Sequence, residues 1–113
     1  MELLELQELD HGSWTVVQAR GEVDVASSPA LGHALETVGE QGRDVVVDLS
    51  GVTFIDSTGL GVLVQALNGA NAAERRLRLV ISDPNVRRVF EVTALDGVFS
   101  IHGSLDAAAA DLG

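Results

Sequence analysis

Apolar residues recur along this chain with two periods. Residues 3–9 carry Leu3, Leu4, Leu6 and Leu9 with acids between them, and residues 14–19 read Trp14-Thr15-Val16-Val17-Gln18-Ala19. Both runs fit strands, and His11-Gly12-Ser13 between them fits the turn of a hairpin. Gly21-Glu22-Val23-Asp24 is expected to leave the second strand. Ser27-Ser28-Pro29 then signals a helix start, with a hydroxyl cap and Pro in the first turn. Leu31, Ala34, Leu35 and Val38 follow at helical spacing, and Gly39 and Gly42 punctuate the end.

Asp44-Val45-Val46-Val47-Asp48-Leu49 is a short, continuous, mostly β-branched run, as found in a strand covered on both faces. Ser50-Gly51-Val52-Thr53-Phe54-Ile55 reads as the loop leaving it. A second helix should begin near Ser57, with Leu60, Leu63, Val64 and Leu67 on one face and Asn68-Gly69 weakening the pattern beyond. Leu77-Arg78-Leu79-Val80-Ile81 is a further strand. Asp83-Pro84 opens a third helix with Val86, Val89, Phe90 and Thr93 on its inner side. Val98-Phe99-Ser100-Ile101 is a late, weaker strand, and Ser104 caps a last helix carrying Leu105, Ala108, Ala109 and Leu112. Two strands followed by alternating helix and strand predict an α/β fold: one mixed sheet of about four to five strands with about four helices packed against it. Without a repeat or a linker, residues 1–113 read as a single domain.

Composition narrows the chemistry. Apolar residues make up 46% of the chain but aromatics only 4%, so the core must be built from small aliphatics. Seventeen acids against seven bases give a net charge of -10. That surface repels nucleic acid and anionic lipid and favours a basic patch on a protein partner; it also serves solubility alone. The absence of cysteine excludes disulfides and thiolate metal sites. Met1-Glu2-Leu3-Leu4-Glu5 does not read as a signal peptide, and no apolar run approaches a membrane span, so a cytoplasmic protein is expected. Enzyme motifs are missing. His11, His33 and His102 are scattered, Ile55 stands where a Gly-x-Ser-x-Gly elbow needs its first glycine, and Gly59-Leu60-Gly61 lacks the third glycine of a dinucleotide fingerprint. No catalytic role, metal or cofactor is expected.

The segment Phe54-Ile55-Asp56-Ser57-Thr58-Gly59-Leu60-Gly61 stands out because two glycines occupy one helical turn, each costing about 1 kcal/mol relative to Ala. Ser57 or Asp56 can cap the first free amides. An ordinary capped helix with glycines tolerated for packing explains the pattern. So does backbone left uncovered for another surface to approach.

Three motifs, in order and spanning nearly the whole chain, resemble the STAS domain of anti-sigma factor antagonists. They are Gly21-Glu22-Val23-Asp24, the stretch from Val47-Asp48-Leu49-Ser50-Gly51 through Phe54-Ile55-Asp56-Ser57-Thr58-Gly59-Leu60-Gly61-Val62-Leu63, and Val86-Arg87-Arg88-Val89-Phe90-Glu91-Val92-Thr93-Ala94-Leu95. The resemblance implies a STAS-like fold and a binding switch. An anti-sigma factor with a histidine-kinase-like ATPase fold, which can act as a serine kinase, binds the unphosphorylated antagonist and releases its sigma factor for transcription. Phosphorylation of Ser57 ends that binding, and a PP2C-type phosphatase restores it. Thr58 is the second-choice acceptor. Asp24, Asp56, Thr58, Gly59, Leu60 and Gly61 are the implied partner-binding residues, although Asp24 fits an ordinary turn and Leu60 an ordinary core position equally well. Arg87 and Arg88 read as solvated helix residues. Within the same family, an accessory or scaffold subunit in lipid transport or a stressosome-like assembly, without a phospho-switch, is the alternative.

Overall fold

A computed structural model describes residues 3–112, so the outermost ends of the expected domain, residues 1, 2 and 113, lie outside the described residues. Strands β1 (Glu5–Asp10) and β2 (Trp14–Val23) form the expected antiparallel hairpin, paired from Glu5 with Arg20 to Asp10 with Thr15. The turn depends on Gly12, whose φ of 85° is left-handed and whose amide donates to Asp10 Oδ1 at 2.8 Å. Helix α1 (Ser28–Glu40) leads to β3 (Asp44–Ile55), α2 (Ser57–Ala72), β4 (Leu77–Val80), α3 (Pro84–Val92), a 3-10 turn at Leu95–Gly97, β5 (Ser100–His102) and α4 (Leu105–Leu112). The single sheet has the order β1-β2-β3-β4-β5, and every pair after the hairpin is parallel.

Two strands run further than their residue types suggest. β2 does not stop at Gly21 but continues to Val23 through a register shift. Gly21 has φ 114°, and a Cβ there would stand 2.6 Å from the Leu3 carbonyl oxygen, so the glycine marks a bulge within the strand. β3 likewise absorbs the expected loop Ser50–Ile55. Gly51 lies opposite Arg20, where a Cβ would meet the Arg20 Cγ at 2.8 Å, and Val52 and Ile55 go on filling the core. β4 pairs only with Val45 through Asp48 of β3, so the last part of β3 bonds to β2 alone.

Smaller differences have packing causes. Helix α2 continues past Asn68-Gly69 because Leu67 and Ala70 are both buried. Val64 is half-buried rather than core. Thr93 is exposed as the C-cap of α3 and back-bonds to the Val89 carbonyl. The late strand is shifted to Ser100–His102, because Phe99 turns into the core edge-to-face on Phe90 at 5.7 Å while Val98 stays exposed. Ser27 precedes α1 but makes no side-chain cap; its hydroxyl serves the β2–α1 loop.

Neighbouring strand residues feed opposite faces of the sheet. Val17, Val47 and Leu79 join Leu31, Leu35, Leu63 and Phe90 in the main core under α1, α2 and α3. Val16, Val46 and Val80 join Ala108 and Leu112 beneath α4. Val45–Leu49 is buried throughout, as a parallel strand covered on both faces requires.

Candidate functional site

The junction between β3 and α2 is built around Asp56. Val23 and Ile55 are paired at the ends of β2 and β3, and the Asp56 amide donates to the Val23 carbonyl at 3.1 Å. Asp56 then leaves the strand in an extended conformation and becomes the N-cap of α2. Its Oδ1 accepts three hydrogen bonds: from the Thr58 amide at 3.0 Å, the Gly59 amide at 3.1 Å and the Thr58 hydroxyl at 2.5 Å. Two of the free amides at the helix start are satisfied in this way. The Thr58 hydroxyl bond, together with the amides of Gly59, Thr58 and Val25, holds the Asp56 carboxyl below the ordinary aspartate value, against a smaller opposing effect of desolvation.

The Val25 amide belongs to the loop between β2 and α1, which begins just after the Val23 carbonyl that the Asp56 amide bonds. That loop is closed by Asp24 and Ser27. Asp24 Oδ1 accepts from the Ala26 amide at 3.0 Å and the Ser27 amide at 2.9 Å. The Asp24 amide donates to Ser27 Oγ at 2.9 Å, and the single Ser27 hydroxyl proton is shared between the Glu22 carbonyl at 2.8 Å and Asp24 Oδ1 at 3.0 Å. Asp24 is thus a turn-forming residue beside the site, with one carboxylate oxygen occupied.

Ser57 is the first residue of α2. It is exposed and takes no part in the cap. Thr58 is also exposed, but its hydroxyl is held by Asp56. The glycines of the segment divide by environment. Gly59 is buried, and a Cβ there would meet Val23 Cγ1 at 2.6 Å and Ile55 Cγ1 at 2.8 Å, so it lets the helix sit directly on the paired strand ends. Leu60 also points inward and is 8% exposed. Gly61 is exposed, with nothing within 4 Å of a Cβ built on it. Of the three residues expected to form a flat contact face, the structure therefore leaves only Gly61 on the surface. Arg87 is half-buried and Arg88 exposed on α3.

Two apolar side chains near the site were not singled out by the sequence pattern. Val25 is 71% exposed in the loop against Asp56, and Phe54 is 47% exposed two residues before the cap. The signal for Phe54 was strand alternation: once β3 extends to a buried Ile55, its neighbour must face the other way. Helix α2, sixteen residues long, contains no charged residue in a chain of net charge -10. An open groove of about 680 Å³ lies elsewhere, between α1 and α2, lined by Gly32, Glu36, Val62, Gln65 and Arg75 among others. Among the described residues, no three His, Asp or Glu side chains converge to hold a metal, and no helix is long and apolar enough to cross a membrane.

The model of the STAS domain matches residues 5–108 of the chain. This protein belongs to the STAS domain family, among the anti-sigma factor antagonists. An anti-sigma-B factor antagonist of Staphylococcus epidermidis is 30% identical over 100 residues, which cover 88% of this chain and 93% of that protein. The crystal structure of an anti-sigma factor antagonist from Mycobacterium paratuberculosis superposes with a TM-score of 0.90 at 31% identity, covering 96% of this STAS domain and 93% of the other chain. The Bacillus cell fate determinant SpoIIAA in its phosphorylated form shares the fold at a TM-score of 0.74 and 20% identity, covering 96% of this chain and all of that one.

Proposed function

We propose that this STAS domain is an anti-sigma factor antagonist. Its unphosphorylated form binds an anti-sigma factor, frees the sigma factor, and is switched off when the same partner phosphorylates Ser57. The partner would carry a histidine-kinase-like ATPase fold, and a PP2C-type phosphatase would reset the switch in the cytoplasm. The observation that carries this reading is the placement of Ser57: an exposed hydroxyl on the first residue of an uncharged helix, next to the Asp56 carboxylate and the Asp24 loop. The exposed Val25 and Phe54 supply apolar contact area around it, and Gly61 an open approach one turn along. The domain itself performs no chemistry in this scheme.

A phosphate on Ser57 adds a charge of about -1.5 to -2 beside existing carboxylates. A partner that docks over this surface must bury that charge, and an unpaired buried charge costs several kcal/mol; about 3 kcal/mol of it weakens binding by about 100-fold. The fold tolerates modification, in that SpoIIAA adopts it in its phosphorylated form. Incubating the protein with its candidate anti-sigma factor and Mg-ATP, locating phosphate by mass spectrometry and titrating both forms calorimetrically tests the proposal. Phosphate absent from Ser57, or equal affinity of the two forms, would sink it.

A further inference from the structure

Two hydroxyls stand side by side at the start of α2, and their surroundings differ. We infer that Asp56 is the positioning residue that makes Ser57, and not Thr58, the site of modification. This rests on the phospho-switch proposed above and adds the device that chooses between the two hydroxyls.

The argument is geometric. Phosphoryl transfer from a nucleoside triphosphate forms a bond between the γ-phosphorus and the hydroxyl oxygen. It breaks the bond from that phosphorus to the bridging oxygen, releases the nucleoside diphosphate, and sends the hydroxyl proton to solvent or to a base of the kinase. At Thr58 that proton is what joins Oγ1 to Asp56 Oδ1 across 2.5 Å. Once it is gone, an ester oxygen and a carboxylate oxygen face each other inside their contact distance, with a phosphate dianion attached. The contact can open in two ways. Asp56 can swing out, which also releases the Thr58 and Gly59 amides that the same Oδ1 holds. Alternatively the Thr58 side chain can turn to its other helical χ1 rotamer, which gives up the hydroxyl bond to Asp56 but keeps the two amide bonds. The first way dismantles the helix start, and the second loses one of the three bonds Asp56 Oδ1 accepts while leaving the phosphate dianion beside the carboxylate.

At Ser57 neither cost arises. Its hydroxyl is exposed and outside the cap, so phosphate is added to solvent at the positive end of the helix while the Asp56 bonds stay in place. The opposite idea, that Asp56 primes Thr58 as its base, is disfavoured by the bonds that Asp56 accepts. The Thr58 hydroxyl and the amides of Gly59, Thr58 and Val25 all stabilise the ionised carboxylate and make it a poorer proton acceptor.

The test does not require the kinase. Phosphoserine at position 57 and phosphothreonine at position 58 are installed separately during translation, and thermal unfolding of each is compared with the unmodified protein. Modification at 57 is expected to move Tm by no more than about 2 °C, and modification at 58 to lower it by at least about 4 °C. In Asp56→Asn, which keeps a capping side chain but removes the charge, the gap between the two forms should narrow. Equal Tm values for the two phosphoforms, or a gap unchanged in Asp56→Asn, overturns the inference. With a kinase that modifies the unaltered chain, Ser57→Ala should take up phosphate at Thr58 at least about 100-fold more slowly, and a comparable rate overturns the inference as well. A chain that no anti-sigma factor phosphorylates refutes the switch, while the unfolding comparison still judges the role of Asp56.

Discussion

Replacing Gly59 by Ala isolates the contact that seats α2. In an open helix this exchange stabilises by about 1 kcal/mol. Here the new methyl would stand 2.6 Å from Val23 Cγ1 and 2.8 Å from Ile55 Cγ1, where carbon atoms prefer about 3.5–4.0 Å. Neither neighbour can yield easily. Val23 and Ile55 are buried, paired with each other across β2 and β3, and carry β-branched side chains. Relief requires the first turn of α2 to lift by several tenths of an ångström. Overpacking of that kind costs about 1–3 kcal/mol. Set against the propensity gain, the net loss falls between about 0 and 2 kcal/mol, a fall in Tm of up to about 8 °C. Gly61→Ala is the control, because its Cβ meets nothing within 4 Å and should raise Tm by about 4 °C. Differential scanning calorimetry of the two variants decides the matter. If Gly59→Ala is as stable as Gly61→Ala, Gly59 is not a packing wedge. The lifted helix start should also slow phosphorylation of Ser57, which a stability effect remote from the site would not do.

Other expectations follow from the same contacts. Asp56→Ala removes the acceptor of two amides and should cost about 1 kcal/mol, read as a lower urea midpoint at unchanged m-value, with Asp56→Asn losing less. Asp56 has a lowered folded pKa, so its ionised form stabilises the fold above the unfolded value of about 3.9, and that contribution is lost as pH falls through the folded value. Asp10, through the Gly12 amide first, and Asp111, through Arg78 first, share the direction. Tm should therefore drop below about pH 4, with a shallower drop in Asp56→Asn. Phe90→Ala opens a cavity in the main core and should cost about 3–5 kcal/mol by denaturant unfolding. Leu112→Ala should cost about 2–3 kcal/mol yet leave Ser57 phosphorylation unchanged at temperatures where the protein is folded, because α4 packs on the other face of the sheet.

The parts of this fold most legible in sequence are those where residue type and burial agree. Val45–Leu49 announces a strand covered on both faces, and Asp83-Pro84 announces a helix start that the structure caps with Asp83 Oδ1. The ends of β2 and β3 were hidden because Gly21 and Gly51 look like punctuation. Each is instead an accommodation within a strand, one to the Leu3 backbone and the other to the Arg20 side chain, and such close approaches come from elements distant in sequence. At the site, the cap at Asp56 was visible as one of two candidates. The division of labour between Gly59 and Gly61 was not, since it depends on Val23 arriving beneath the helix. Val25 was invisible for the same reason, its exposure being a property of the neighbouring loop, whereas Phe54 follows from strand alternation only once β3 is known to reach Ile55.

The pairing of Val23 with Ile55 also sets when the site comes into being. These residues lie far apart in the chain, with all of α1 between them, and the Asp56 amide finds its acceptor only when both strand ends have met. A nascent or unfolded chain contains the same six letters from Asp56 to Gly61 but not the seated helix start that displays Ser57. An enzyme that recognises this display therefore ignores chains still on the way to their native state. Under the proposed switch, completed folding would become a licence for signalling, and damaged molecules would drop out of the regulatory count without any separate inspection step.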